Sequence, residues 1–273
     1  MDKGRQLESA ASRAVATAGA AGRLAARQAV STSRRLAIRL ARPPAAGAPP
    51  VWSIHITSMV IAGLCATLFA SAFDPYVQPA AHQSDAALLR FMASVTDVAK
   101  SGWYIVPAVI VVTVIGLLDW GELRHGSRRV LATAYGQAGY ILAAIAIPGI
   151  ATNIAKQFIG RGRPRVMDEF GVYAFHPFQF DSAFQSFPSG HSTTAGSLAA
   201  ILILWHPKWK WPVLAAMFLL ACTRLPAGAH YPADVVCGFA FGFVLALLIA
   251  RWLARRSAVF TLRGNAALPV LKA

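Results

Sequence analysis

The chain has 273 residues, of which 56% are hydrophobic and only 14% charged, and its mean hydropathy is +0.50. A soluble domain of this length carries about 25% charged residues, so the composition excludes an ordinary water-soluble protein and points to a membrane. The formal net charge is +15, and the placement of those cations along the chain says more than their sum.

Residues 1–50 are rich in Ala and Arg, poor in acids, and end in Pro43-Pro44 and Pro49-Pro50. The basic start is not followed by an uninterrupted apolar core of about seven residues, which argues against a cleavable signal peptide. Three readings stand for this stretch. The most economical is a cytosolic, partly helical segment whose Arg34, Arg35, Arg39 and Arg42 touch anionic headgroups. The others are a solvated helix with no partner and an organellar transit peptide.

Six apolar segments follow, at residues 54–73, 103–118, 130–150, 192–205, 212–223 and 235–253. A membrane span needs about 20 mostly apolar residues. The first, third and sixth reach that length, and the second does so once Ser101 and Trp120 are included. The fourth and fifth are short enough to resemble two halves of a core hairpin. Their connector, His206-Pro207-Lys208-Trp209-Lys210, is basic and aromatic as interfacial turns are, which favours two spans. Length and burial in lipid favour helices over strands. The three cysteines, Cys65, Cys222 and Cys237, fall inside these runs and read as small buried hydrophobes, not as a disulfide or zinc set. The expected fold is all-α and polytopic: six transmembrane helices within residues 51–256, between a basic cytosolic segment (1–50) and a basic cytosolic tail (257–273).

Charge orients this bundle. With the amino terminus in the cytosol, only Arg90, Lys100, Lys156, Arg161, Arg163, Arg165 and Arg224 fall outside, and the rest of the 26 Lys and Arg, from Lys3 to Arg263 and Lys272, fall inside. The positive-inside rule therefore places both termini in the cytosol. Four of the seven outer cations crowd between Lys156 and Arg165, on the disfavoured side, and anion binding supplies a reason.

Three blocks at the outer ends of the spans carry the chemistry. The first is Lys156, six residues, then Arg163-Pro164. An ammonium and a guanidinium fork suit a phosphoester, which carries about two negative charges. The second is Pro188-Ser189-Gly190-His191 at the start of the fourth span. A helix amino terminus offers unpaired N–H groups to phosphate, Gly190 admits close approach, and Ser189 adds a hydroxyl. The third is Thr223-Arg224, five residues, His230, three residues, Asp234. Pro232 suits the first position of a helix, which puts Asp234 in its first turn within reach of a ring nitrogen of His230. The second and third blocks alone each have a plainer reading as helix capping. In combination they supply three cations, two histidines and a carboxylate.

These blocks resemble the tripartite signature of the type 2 phosphatidic acid phosphatase superfamily, which includes lipid phosphatases, bacterial acid phosphatases and vanadium haloperoxidases. The resemblance implies phosphate contacts from Lys156, Arg163, Ser189, Gly190 and Arg224. It implies His230 as nucleophile by way of a phosphohistidine, His191 as general acid and Asp234 as the orienter of His230. It calls for no metal or other cofactor and no nucleic acid; the partners it implies are the bilayer and a membrane lipid phosphate. Thr223 stands where many members have Ser. The implied activity is a membrane lipid phosphatase, with its site at the periplasmic face of a bacterial inner membrane. Lipid A, prenyl diphosphate, phosphatidylglycerol phosphate and phosphatidic acid stay open as substrates, and either water or a second lipid as acceptor. An anion transporter would use the cations but not His230 with Asp234. Chemistry on a soluble small molecule would not need a bilayer.

Arg161 and Arg165 lie outside the signature and read as substrate-attracting or headgroup-anchoring charges, with Asp168, Glu169 and Asp181 as available partners. The aromatic segment from Phe170 to Phe187 reads either as a roof over the site or as an interfacial belt. His55, His82, His125, His176 and His206 match no motif.

Overall fold

The computed structural model describes residues 2–83, 86–262 and 266–272. Arg263 and the side chains of Lys3, Arg5, Arg13 and His82, which entered the sequence reading, lie outside what is described. Helix α1 (Asp2–Leu40) runs unbroken for 39 residues. Its many alanines favour helix, and the Pro43-Pro44 pair stops it. It is more helical than the partly helical segment expected. Two bonds tie it to the bundle: Thr32 Oγ1 donates to Gly116 O at 3.0 Å, and Arg256 Nε donates to Leu40 O at 2.8 Å.

The bundle consists of α2 (Ile54–Ser71), α3 (Asp74–Gln83), α4 (Ala87–Val95), α5 (Gly102–Gly116), α6 (His125–Ile159), the single turn α7 (Met167–Phe170), α8 (Gly190–Trp205), α9 (Lys210–Cys222) and α10 (Pro232–Arg255). A two-stranded antiparallel pair, β1 (Phe260–Thr261) with β2 (Val270–Leu271), packs on the end of α10. Every expected apolar segment is a helix, and the chain is all-α apart from that short pair. Among the described residues four stretches are long and apolar enough to cross a membrane: α2, the run Ala87–Gly116 that joins α4 to α5 through a 3-10 turn at Thr96–Ala99, α6 and α10. The first three carry rows of exposed large hydrophobes, among them Leu68 at 72%, Trp103 at 69% and Phe158 at 59% exposure. No water-soluble surface tolerates so much apolar area, and these faces meet lipid. The chain is an integral membrane protein.

Several expected boundaries move. The second segment does not extend to Trp120; it begins earlier, at Ala87, and α5 stops at Gly116. The third outruns its apolar core at both ends, because His125, Arg128 and Arg129 at its start and Asn153, Lys156 and Gln157 at its end interrupt hydropathy without breaking helix. Cys65 is exposed on α2, contrary to the buried role expected for all three cysteines.

Helix α8 explains its own shortness. It has 16 residues, and most are buried, including Ser192, Thr193, Thr194 and Ser197. Packed among α6, α9 and α10, it need not face lipid. Its neighbour α10 carries Gly238 and Gly242 one turn apart. A Cβ on Gly242 would sit 2.0 Å from Thr193 O, and one on Gly196 would sit 2.0 Å from Phe239 O. Small residues at this crossing let the two backbones touch, the usual way helices associate without a hydrophobic driving force. Hydroxyls link α8 to both neighbours: Thr193 and the α6 residue Thr152 have Oγ1 atoms 3.0 Å apart, and Ser197 Oγ donates to Gly242 O of α10 at 3.3 Å. At the opposite end of α10, buried Arg251 donates to the carbonyls of Pro50, Val51, Ala266 and Ala267, which fastens both flanking segments to the bundle.

Candidate active site

The three blocks meet at one end of the bundle, at the C-terminal end of α6 and the N-terminal ends of α8 and α10. Helix α6 ends because Gly160 takes a left-handed conformation, φ 62°, and its N–H bonds Lys156 O. No other residue fits there: a Cβ would lie 2.0 Å from His176 O. Residues 161–163 then run extended, pinned by His176 N–H to Gly160 O at 2.7 Å, Ser186 N–H to Arg161 O at 3.0 Å and Arg163 N–H to Ala183 O at 2.7 Å. The segment after Pro164 thus folds back to fix both arginines. It aims Phe175, Phe178 and Phe180 outward, at 52–78% exposure, and buries Phe184.

Ser189 caps α8. Its wholly buried hydroxyl accepts from Ser192 Oγ at 2.9 Å, and its N–H donates to Asp234 O at 3.0 Å, locking the second block to the third. A methyl group on Gly190 would come within 4.0 Å of Lys156 Nζ, so the first block reaches the second. Arg224 follows α9, and its Nη1 donates to Thr96 Oγ1 at 3.1 Å; Thr223 Oγ1 meets the same Thr96 hydroxyl at 3.0 Å. The hydroxyl that Thr223 shares with Ser is therefore in use, holding the 3-10 turn beneath Arg224.

His230 is 2% exposed, and its Nδ1 lies 3.6 Å from Asp234 Oδ2. That is ion-pair range, longer than the hydrogen bond expected from the spacing. The carboxylate is occupied by other donors. Asp234 Oδ2 accepts from Ser186 Oγ at 2.5 Å and Tyr231 N at 2.9 Å, and Oδ1 accepts from Arg161 Nη1 at 2.7 Å. Asp234 thus caps its own helix and also faces His230. Burial pushes the His230 imidazole down to about 4, against the opposing pull of Asp234, so the ring is neutral at pH 7.

Arg161 is not a surface anchor. It is 3% exposed, bridges Asp234 and Asp74 at 2.7 Å each, and stacks its guanidinium 4.4 Å from the Tyr231 ring centroid. The expected pairing with Asp168, Glu169 or Asp181 does not occur among the described residues. Asp74, at the start of α3, is wholly buried; its other oxygen accepts Ala233 N–H at 2.9 Å. Burial raises the Asp74 carboxyl against the pull of Ala233 and Arg161. With both oxygens accepting bonds beside a guanidinium, we take the pair as ionised. Asp74, Ser186 and Thr96 carry no local motif, and sequence reading missed all three.

The remaining cations are unanswered. Among the described residues no acid lies within ion-pair distance of Lys156, Arg163 or Arg224, while Lys156 is 7% exposed. Burial, together with Arg165, pushes Arg163 below the usual arginine range; burial and Arg163 do the same to Arg224. Burial also works against the Arg161 cation, but Asp234 and Asp74 outweigh it and hold that group above the range. Lys156, Arg163 and Arg224 lie within Coulombic reach of one another, as does His191 of Arg224 and His230. Among the described residues five buried nitrogens here have no hydrogen-bond partner: Arg161 Nε, Arg163 Nε, Arg224 Nε, His191 Nε2 and His230 Nδ1. Three like charges, Lys156 buried and Arg163 and Arg224 half-buried, repel unless an anion joins them.

Residues 137–258, which contain every one of these blocks, match the PAP2 superfamily. The match covers less than half of the chain. The chain is 42% identical over 123 residues to a lipid A 1-phosphatase of Rhizobium johnstonii, covering 45% of this chain and 50% of the relative. An undecaprenyl-diphosphatase of Sulfolobus acidocaldarius is 34% identical over 64 residues, 23% of this chain and 31% of the relative. The chain spans about half the length of the lipid A 1-phosphatases it matches. Among solved structures, a transmembrane PAP2 type phosphatidylglycerolphosphate phosphatase from Bacillus subtilis aligns with TM-score 0.47 and 21% identity, covering 71% of this chain and 93% of that one.

Proposed function

We propose that this protein is a metal-independent lipid phosphatase of the bacterial inner membrane, with six helices crossing the bilayer, both termini cytosolic and the site at the periplasmic face. Residues 51–256 form its catalytic unit. One observation carries the reading: buried Lys156 and half-buried Arg163 and Arg224 stand without ion-pair partners among the described residues, around two histidines, one of them backed by a carboxylate. The three cations and the free N–H groups of the α8 amino terminus would share the equatorial oxygens of a phosphoryl group, whose charge grows during transfer. Gly190 leaves room for it beside Lys156.

With Asp234 facing Nδ1, the Nε2 atom of neutral His230 is the one free to attack phosphorus. The ester P–O bond breaks, and His191 gives the departing alkoxide its proton. Water then attacks the phosphohistidine, His191 takes a proton from it, and inorganic phosphate leaves with the P–N bond broken. The exposed aromatics from Phe170 to Phe180 fit an interfacial belt better than a roof, because they point away from the site. The matches at 41–42% identity to lipid A 1-phosphatases make the 1-phosphate of lipid A the first substrate to try.

The test is phosphate release by the purified full chain in detergent from lipid A, undecaprenyl diphosphate, phosphatidylglycerol phosphate and phosphatidic acid. One substrate should stand out, and His230→Ala should lose on the order of 10⁵ in kcat, as loss of an attacking group does in other covalent enzymes. Wild-type release by His230→Ala would refute the mechanism. So would loss of activity on chelation.

A further inference from the structure

A second recess lies at the other end of the bundle. A cavity of about 1040 Å³ opens between α1, α5, α6 and α10. Its wall follows one face of α6 from Arg129 through Gly136, Gly139 and Ala143 to Ile147. At 1.5 Å per residue that face is about 27 Å long, close to the depth of the hydrocarbon layer. Gly139 keeps the slot clear, since a Cβ there would meet nothing within 4 Å. The walls are mostly apolar, with Val112 from α5 and Leu245 from α10, but one end is cationic. Arg39 from α1, Arg129 from α6 and Lys272 from the tail line it, all exposed and without an ion-pair partner among the described residues. The Lys272 ammonium makes one weak bond, to Ser257 O at 3.4 Å. Arg129 is 27 residues before Lys156 on α6, about 40 Å away along the axis, so this end belongs to the opposite membrane face from the phosphate site.

We propose that this slot is a binding site for an anionic glycerophospholipid of the leaflet opposite the phosphate site. The headgroup phosphate sits on Arg39, Arg129 and Lys272, and an acyl chain runs down the α6 face past Gly139. Length and charge together select this occupant. A neutral lipid fills the apolar part but leaves three cations unanswered, and a free anion leaves the slot empty. Because the cations come from α1, α6 and the tail, the lipid joins the basic amino-terminal helix to the bundle. This explains one role for a segment that the phosphate chemistry does not use.

Native mass spectrometry of the full chain in detergent, titrated with phosphatidylglycerol or phosphatidylcholine, tests it without any measurement of activity. We expect one phosphatidylglycerol retained per chain, at least tenfold in preference to phosphatidylcholine. Two variants should each weaken that retention at least tenfold: the triple Arg39→Gln, Arg129→Gln, Lys272→Gln, and Gly139→Leu, which blocks the slot and leaves all three cations. The pair Arg23→Gln, Arg27→Gln, on exposed α1 positions outside the cavity, should change nothing. Gel filtration reports that each variant is folded. Equal retention of both lipids overturns the proposal, as does wild-type retention by the triple variant or by Gly139→Leu. An equal loss in the Arg23, Arg27 pair also overturns it, since general attraction to a basic surface would then suffice.

Discussion

Substituting Asp74→Asn keeps the shape of a buried side chain and removes its charge, so it tests whether the Asp74–Arg161–Asp234 chain holds the site together. The carboxylate uses both oxygens, one for Ala233 N–H at 2.9 Å and one for Arg161 Nη2 at 2.7 Å. An amide has a single carbonyl oxygen, so its NH2 group must face one of those two donors. A buried donor left without an acceptor costs about 1–3 kcal/mol. Breaking a buried ion pair costs about 3–5 kcal/mol. Arg161 keeps Asp234 as a second counter-ion, which favours the low end, about 3 kcal/mol. In a protein of this size each kcal/mol moves the melting temperature by about 2–4 °C, so the expected drop is roughly 6–12 °C.

The comparison that makes this informative is Asp97→Asn. Asp97 also sits 2.7 Å from its partner, Lys100, but the two side chains are 60% and 53% exposed. Water screens that pair, and its loss should not move the melting curve. Activity should respond differently from stability. With Asp74 neutral, Arg161 draws on Asp234 alone and weakens its field at His230, so kcat falls while KM, set by Lys156, Arg163 and Arg224, holds. The assays are thermal unfolding in detergent and phosphate release under saturating and limiting substrate. Melting of Asp74→Asn within about 2 °C of wild type, or a loss confined to KM, would refute the reasoning.

Three other outcomes follow from the geometry. His230, pushed down to about 4 by burial, should show the neutral-imidazole NMR signature at pH 6, with its resonance assigned by loss in His230→Gln; a midpoint at or above the ordinary value of about 6.5 contradicts a neutral nucleophile. Thr96→Val, which removes the hydroxyl shared by Thr223 and Arg224, should cut kcat/KM about tenfold by loosening one charge-assisted bond, and Thr96→Ser should restore it. A restored melting temperature without restored activity in Thr96→Ser would count against positioning of Arg224. Gly196→Ala should lower the melting temperature by several degrees, since its methyl group meets Phe239 O at the α8–α10 crossing and overpacking costs about 1–3 kcal/mol, whereas Gly22→Ala on exposed α1 should not.

The parts legible in the sequence are those whose signal is local. The blocks around Lys156, Ser189 and Arg224 are fixed by helix ends, and helix ends follow from Gly160, Ser189 and Pro232 within a few residues of each site group. Apolar runs located every helix of the bundle except α3, α4 and the single turn α7. Helix α4 was hidden because Arg90 breaks the run and the 3-10 turn at Thr96–Ala99 separates it from α5. The length of α6 was underestimated because polar residues at its end face the site and not lipid. Asp74, Thr96 and Ser186 left no trace, because their partners Arg161, Arg224 and Asp234 lie 87, 128 and 48 residues away. No period or spacing rule reaches across such distances; only the fold supplies those contacts.

Arg161 and Arg163 show how far partner choice outweighs residue type. Two positions apart on one extended segment, both are guanidiniums, and only the second belongs to the signature. Arg161 meets two buried carboxylates and is neutralised, so it has little field left for a ligand and serves to fix Asp234. Among the described residues the Arg163 side chain has a long contact to Gln185 O at 3.5 Å, no acid within ion-pair distance, and Lys156 and Arg224 as like-charged neighbours. The desolvation of Arg161 is offset inside the protein, whereas that of Arg163 is offset only when an anion arrives. Under the proposed function, an anion site built this way binds because its cations are left incomplete, and the neutralised arginine beside them keeps in place the carboxylate that faces His230.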